Sequence, residues 1–334
     1  MRRTFTSFLL LLLTLAVLAG GAAFWWVHQP LALRLPAGAA ALDLEIEPGN
    51  ANQAAAAVVA SGVDVPLQAL QLWFRLSGQA RLIKAGSYEV VPGSTPRSVL
   101  NMLVRGDQTL RSVTLVEGWT FTQVRAALQK AEQLKQETAG LAPENIMQLI
   151  DKPGVHPEGR FFPDTYTYAK GSSDVAVLKR AARAMDKRLD SAWALRSPDT
   201  PLKTPAEALI LASIVEKETG QSADRPQIGG VFTNRLRIGM LLQTDPTVIY
   251  GLGSSFDGNL RRRDLQTDTP YNTYTRAGLP PTPIAMPGRA ALLAAVQPAP
   301  TKALYFVARG DGSSQFSSSL EEHNRAVNKY IRGQ

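Results

Sequence analysis

The sequence predicts an α+β protein: a membrane helix first, small α+β modules after it, and a larger mixed α/β domain at the end. Three observations carry this expectation. An uncharged run from Phe8 to Val27 stands alone near one end. Between about residues 42 and 130, a short alternating segment, a glycine turn and a helix-period segment follow one another three times. Beyond residue 158, longer helical patterns are separated by segments rich in Pro, Gly, Thr and Asn. A chain of 334 residues with 45% hydrophobic side chains can bury cores in about two domains.

The run Phe8 to Val27 follows Arg2 and Arg3 and closes on Trp25 and Trp26. Its length suits a helix across a bilayer core, and paired Trp suits the far interface. Basic residues on the short side place residues 1–7 in the cytoplasm, residues 8–27 across a membrane as a single pass, and the remainder on the exported side. Ala19-Gly20-Gly21-Ala22-Ala23 offers small residues for signal cleavage. The apolar run is longer than a signal core and continues past them, so an uncleaved anchor is expected. The stretch from Val27 to a first strand near Leu42, about fifteen residues, reaches roughly 50 Å at most, which keeps the following domain near the bilayer.

The three repeated segments are Leu42 to Gly49 before an Ala-rich helix, Tyr88 to Pro96 before Arg97 to Val104, and Val113 to Gly118 before Phe121 to Lys130. Glycine followed by Ser or Thr is expected to cap each helix. These segments make residues 28–133 an exported α+β region. Residues 134–157, polar and broken by Pro153, Gly154 and Pro157, read as a connection, and 158–334 as the second domain. A basic amphipathic helix is expected over about 175–189. Thr204-Pro205 opens another that runs to about Thr219, because Pro suits the first helical turn.

Composition narrows the chemistry. There is no cysteine, which excludes disulfides, thiol nucleophiles and thiolate zinc clusters. His28, His156 and His323 are far apart and lack ligand spacing, so no metal and no cofactor are expected. The net charge of +8 comes from basic residues interleaved with acidic ones, without a basic run alternating with aromatics, so no nucleic-acid partner is expected.

The helix from Pro205 carries the most informative residues. On a helical wheel Ala208, Ile210, Leu211, Ala212, Ile214 and Val215 form one apolar arc, with Ser213 and Lys217 opposite. Glu218 falls within that arc, whereas Glu216 lies more than about 100° away at its edge. Only Glu218 is therefore expected to be buried. A carboxyl on an apolar face loses solvation, which favours its protonated form and makes it a general acid at neutral pH. The alternative is a structural Glu218 paired with Arg225 or Arg235. Two turn-rich segments follow, with Gln243, Thr244 and Asp245 in the first and Tyr271, Asn272 and Tyr274 in the second. Their amides, hydroxyls and flat rings are the groups that bind sugars, and they are equally suited to capping their own loops.

With those segments in view the chain resembles the YceG-like family. The carrying stretches are Glu158 to Tyr166, Ile214 to Thr219, Val231 to Leu236, Leu242 to Gly251, Tyr271 to Tyr274 and Gly278 to Pro281, in order along most of residues 158–325. In addition, Gly86 to Leu100 resembles the first half of a LysM glycan-binding module. The family resemblance implies an inner-membrane anchor and a periplasmic catalytic domain at 158–334 that acts as an endolytic lytic transglycosylase. It would cleave the β-1,4 bond between N-acetylmuramic acid and N-acetylglucosamine in nascent peptidoglycan, leave a 1,6-anhydro end and terminate strand elongation. It maps the essential glutamate onto Glu218; Gln243, Thr244, Asp245, Tyr271, Asn272 and Tyr274 are expected as substrate-binding residues from the chemistry of their side chains. The implied partners are glycan strands, the inner membrane and peptidoglycan synthases. Asp224 and Met286 depart from the family pattern and put details of the substrate groove in doubt. A hydrolytic muramidase would instead need a partner carboxylate, for which Asp245 or Asp164 is available. A non-catalytic wall-binding protein would need only the repeats and the anchor.

Overall fold

The computed structural model describes residues 2–36 and 39–333, with side chains from Leu10 onward. The expected tail at 1–7 and the first two residues of the expected span thus lie outside the described side chains. The chain divides into two compact units, Met1–Arg111 with Ala169–Gly171, and Ser112–Tyr168 with Ser172–Gln334.

The first unit begins with helix α1 (Arg2–Val27). Its window Leu10–Val27 has a mean hydropathy of 2.1, long and apolar enough to cross a bilayer. Then come β1 (Ala32–Leu33), β2 (Leu42–Ile46), α2 (Ala51–Ala60), β3 (Val63–Asp64), α3 (Leu67–Leu76), β4 (Gly86–Val90) and α4 (Pro96–Arg105). Strands β2 and β4 pair antiparallel, Leu42 opposite Val90 and Ile46 opposite Gly86, with both helices α2 and α3 between them in the chain. Alternation along β2 buries Leu42, Leu44 and Ile46, which pack with Val58, Leu70, Phe74, Tyr88, Val99 and Leu103. Each such aliphatic side chain contributes roughly 1.5–3 kcal/mol. Asn50, rather than a Ser or Thr, caps α2 through a reciprocal bond with Gln53. Thr95 caps α4, which stops at Gly106 in the left-handed region with φ of 77°. The strand at 86–90 closes this unit rather than opening a new one.

The link after α1 is built into the unit. Val27 is buried, Trp26 packs against the core, and Leu31 N–H donates to Ser94 O at 2.7 Å. β1 then pairs with β3, Ala32 opposite Asp64. The start of the short link expected after Val27 is thus docked on the unit rather than extended.

The second unit contains β5 (Leu110–Thr114), whose last residues lie in it, α5 (Phe121–Lys130), α6 (Pro143–Leu149) and β6 (Thr165–Ala169), with β5 paired to β6. Then follow α7 (Asp174–Ala194), α8 (Pro205–Glu218), α9 (Arg225–Arg237), α10 (Asp245–Leu252), α11 (Arg262–Gln266), α12 (Arg289–Val296), β7 (Tyr305–Ala308), β8 (Ser314–Ser317) and α13 (Leu320–Val327). One core joins Val113, Leu115, Phe121, Val124 and Leu128 to Ile146, Met147, Phe161, Val177 and Leu178. The third strand-turn-helix segment therefore belongs to this unit. The polar stretch 134–157 contains a helix whose Ile146 and Met147 are fully buried, so the unit boundary falls near residue 111 rather than in that stretch.

A second core surrounds α8, against which α7, α9 and α12 pack. Thr204 caps α8 by accepting from Glu207 N–H, and Pro205 occupies its first turn. The expected apolar arc with a polar back does not hold, because α8 is enclosed on nearly all sides. Leu209 and Ser213 are buried along with Leu211, Ile214 and Val215. Ser213 is accommodated because its hydroxyl donates to Ile210 O at 2.7 Å and accepts from Ile284 N–H at 3.0 Å. α9 and α12 approach so closely that a Cβ at Gly229 would overlap the Ala294 carbonyl. Strands β7 and β8 form an antiparallel hairpin, Phe306 opposite Phe316.

Candidate active site

Glu218 is the last residue of α8. The helix leaves its final carbonyls without partners there, and this negative end disfavours a second negative charge. Glu218 lines a cavity of about 370 Å³ together with Arg235 of α9, Gln243, Thr244 and Asp245 at the start of α10, and Tyr274. Tyr305 and His323, from the C-terminal hairpin and helix, complete one wall. Glu218 is half-buried: protein encloses it except where the carboxyl faces the cavity. Burial raises its pKa to about 7, reinforced by the charge of Asp245 and opposed by Thr244 and Arg235.

Thr244 is held on three counts. Its N–H donates to Thr273 Oγ1 at 3.1 Å, its carbonyl accepts from Thr247 Oγ1 at 2.8 Å, and Thr247 and Thr273 share a hydroxyl bond of 2.9 Å. Gln243 before it adopts the left-handed region, φ 49°, unusual for a side-chain-bearing residue, and its N–H donates to Thr273 O at 3.0 Å. Thr244 occupies the cap position of α10, yet its hydroxyl makes no bond to that helix. It donates instead to Glu218 Oε1. The geometry spends a helix cap on orienting a carboxyl.

The Arg partners that the alternative, structural reading of Glu218 required are engaged elsewhere. Arg225 pairs with Glu216 at 3.0 Å, and Glu216 also accepts Gly288 N–H at 2.9 Å. Glu216, expected at the edge of the apolar arc with only Glu218 buried, is itself buried, because the Arg225 and Gly288 donors converge on it. Arg235 donates to Leu304 O at 2.6 Å and Leu242 O at 2.7 Å, with its guanidinium 5.3 Å from the Tyr305 ring centre. It lends positive charge to the cavity without an ion pair to Glu218.

The six loop residues do not share one location. Gln243, Thr244, Asp245 and Tyr274 face the cavity, and the Tyr274 hydroxyl donates to Asp245 Oδ1 at 2.5 Å. Asn272 is fully buried and ties its own loop, donating to Asp264 O, Leu265 O and Thr267 O and accepting from Tyr274 N–H at 2.9 Å. Tyr271 packs edge-on against Tyr250 with ring centres 5.0 Å apart and bonds Thr282 at 2.8 Å. Neither lines the cavity. Asp164 caps its own neighbour's N–H at 2.7 Å and is also absent from the cavity wall. Met286, whose departure from the family pattern put the groove in doubt, is core, with its N–H donating to Trp119 O at 2.7 Å.

Sequence reasoning missed Glu158. It is buried, accepts Phe121 N–H at 2.9 Å and the Tyr250 hydroxyl at 3.1 Å, and burial raises its pKa to about 7. Its signal was present: a carboxylate directly before the Gly159 to Pro163 turn and its two Phe residues. A larger cavity of about 700 Å³, lined by Asp199, Thr233, Asn234 and Arg237 among others, holds one carboxylate, which is ion-paired to Arg237 at 2.8 Å. It offers no acid. Among the described residues no three His, Asp or Glu side chains converge as metal ligands would.

Residues 44–329 match the model of the YceG-like family. The endolytic murein transglycosylase of Bacillus subtilis (strain 168) is 33% identical over 310 residues, spanning 87% of this chain and 85% of that protein. The endolytic murein transglycosylase of Streptococcus pneumoniae serotype 2 (strain D39 / NCTC 7466) is 27% identical over 283 residues, spanning 75% of this chain and 51% of that longer protein. The crystal structure of a yceG-like protein from Listeria monocytogenes superposes with a TM-score of 0.54 at 27% identity, covering 85% of this chain and 98% of that one.

Proposed function

The chain belongs to the YceG-like family, and from that premise we propose that it is an endolytic murein transglycosylase whose acid and base are one carboxyl, Glu218. It cleaves the β-1,4 bond between N-acetylmuramic acid and N-acetylglucosamine and leaves a 1,6-anhydro end. The observation that supports the catalytic assignment is a carboxyl with its pKa raised to about 7, facing a polar cavity and gripped by the Thr244 hydroxyl.

Protonated Glu218 donates to the glycosidic oxygen as the bond from C1 to that oxygen breaks. The resulting carboxylate then takes the proton of the muramyl C6 hydroxyl while O6 bonds to C1. The proton lost in the first step is regained in the second, no water is consumed, and the enzyme returns to its starting form. A pKa near 7 serves both halves, since neither form of the acid is far from its population at neutral pH. The substrate supplies the attacking oxygen, so no second carboxylate need act as nucleophile. Asp245, the other carboxylate at the cavity, takes the Tyr274 hydroxyl and raises the Glu218 pKa by its charge.

α1 fits a membrane span. In the finer reading, the chain is anchored in the inner membrane with residue 334 in the periplasm. It meets glycan strands as peptidoglycan synthases extrude them and ends their elongation. Mass analysis of murein digested by the detergent-solubilised chain tests the reaction. Internal cuts yielding multi-disaccharide fragments with 1,6-anhydro ends are expected, and hydrated reducing ends would overturn it in favour of a muramidase. A reporter fused after residue 334, active only when exported, tests the topology.

A further inference from the structure

We propose that residues 91–97, the turn that joins β4 to α4 together with the first two residues of α4, are a membrane-surface docking element: Arg97 engages lipid phosphates, and Val91 lies among the headgroups beside the exit point of α1. This inference rests on the reading of α1 as a membrane span.

Position carries the argument. A window of eighteen residues at 1.5 Å rise is about 27 Å long, close to a bilayer core, and it ends at Val27. Trp25, 64% exposed, lies one half-turn before that end, where an indole suits the interface. The chain does not then wander. His28 N–H bonds back to Trp25 O at 3.1 Å, and the His28 ring bonds Phe24 O through Nδ1 at 2.7 Å. The other ring nitrogen, Nε2, meets Arg97 Nη1 at 2.8 Å. Leu31 N–H, three residues on, donates to Ser94 O within the same turn.

These contacts tie residues 94–97 to the residue that follows the span, so the turn sits at the height where hydrocarbon gives way to headgroups. Val91 is 50% exposed, and Pro92 and Arg97 are exposed beside it. Among the described residues Arg97 has no carboxylate partner, whereas Arg34 on the same unit is paired to Asp64 at 2.9 Å. An apolar tip next to an unneutralised guanidinium, fixed at the lipid surface, is complementary to an anionic headgroup layer. The partner is the bilayer that holds α1.

The chain has no cysteine, so single-cysteine labelling reports one position at a time. In nanodiscs of mixed zwitterionic and anionic lipid, the full chain is labelled with an environment-sensitive fluorophore at Val91→Cys. A control label at Glu47→Cys stands at the opposite end of the β2–β4 pair, next to Ile46, which faces Gly86. Quenching by lipid-borne quenchers is expected at 91 and not at 47. Arg97→Glu, whose acidic side chain suits the second position of α4 and so should leave the fold intact, is expected to lower the docked-to-free ratio at 91 by roughly fivefold or more. A chain that enters nanodiscs but shows equal, weak quenching at both positions overturns the docking inference and leaves the span intact. A chain that fails to enter nanodiscs overturns both. Murein cleavage in detergent, measured on the same labelled chains, stays independent of either result.

Discussion

The hydroxyl of Thr244, a residue positioned to cap α10, is turned away from that helix and donates to Oε1 of Glu218, a residue that ends α8. One bond thus joins the start of one helix to the end of another and fixes the rotamer of the proposed acid. It also favours the carboxylate, so it holds the Glu218 pKa below the value that burial alone would impose.

Glu218→Gln keeps the volume and the Thr244 contact but can neither give nor take a proton. Release of 1,6-anhydro products is expected to fall by on the order of 10²–10⁴-fold or more, with far-UV circular dichroism unchanged. Activity near that of the parent would remove Glu218 from the mechanism.

Thr244→Val removes a bond that lowers the Glu218 pKa, and Asp245→Asn removes a charge that raises it. The bond-breaking step needs protonated Glu218, so its rate falls as pH rises through about 7. That fall should move to higher pH in Thr244→Val and to lower pH in Asp245→Asn. Shifts of the same sign in both variants would contradict the arrangement. Asp245→Asn should also retain 1,6-anhydro products, which a nucleophilic Asp245 would not allow.

Glu216 differs from its neighbour two residues on. Its ion pair to Arg225 and its bond from Gly288 N–H are buried, with side-chain exposures of 4% and 13% for the two charged partners. Glu216→Gln leaves Arg225 only the longer contact to the more exposed Glu117 at 4.0 Å, and a loss of roughly 2–4 kcal/mol in denaturant unfolding is expected. Turnover per folded molecule should stay within about tenfold of the parent, because Glu216 is not at the cavity wall.

Glu158 and Glu218 both have folded-state pKa values of about 7, above the ordinary 4.5. For a carboxyl raised on folding, the stabilisation is complete below the unfolded value and is lost as pH climbs through the folded one. Thermal stability should therefore decline between pH 5 and about 8. Glu158→Gln, which cannot ionise, should make that decline shallower, as read by the melting temperature across the range. A decline as steep as in the parent would mean that Glu158 stays ionised in its buried site.

Much of this was legible in the residues. The apolar helix that covers 8–27, long enough to cross a bilayer, follows from composition, because length and hydropathy decide whether a helix can span one. Glu218 stood out because Thr204-Pro205 sets the start of α8 and a regular helix then fixes the angle of every later residue. The turn segments were also visible as turns. What could not be read was the direction of their side chains. Gln243 and Thr244 face Glu218 because Thr273, some thirty residues away, receives both of their N–H groups, whereas Asn272 spends itself on three nearby carbonyls.

The sequence by itself determined the elements that depend on neighbours within a turn or two: the apolar span, the capped helices, the terminal glutamate and the family. Tertiary structure alone decided which partners met. It gave Arg225 to Glu216 and left Glu218 to Thr244, moved residues 112–157 into the second unit's core, and docked the end of α1 onto the first. Each outcome turns on groups distant in the chain, such as Glu216 and Gly288 or Thr244 and Glu218. Local periodicity carries no information about which of several competing donors will reach a buried carboxyl first, since that depends on how the packed helices place them.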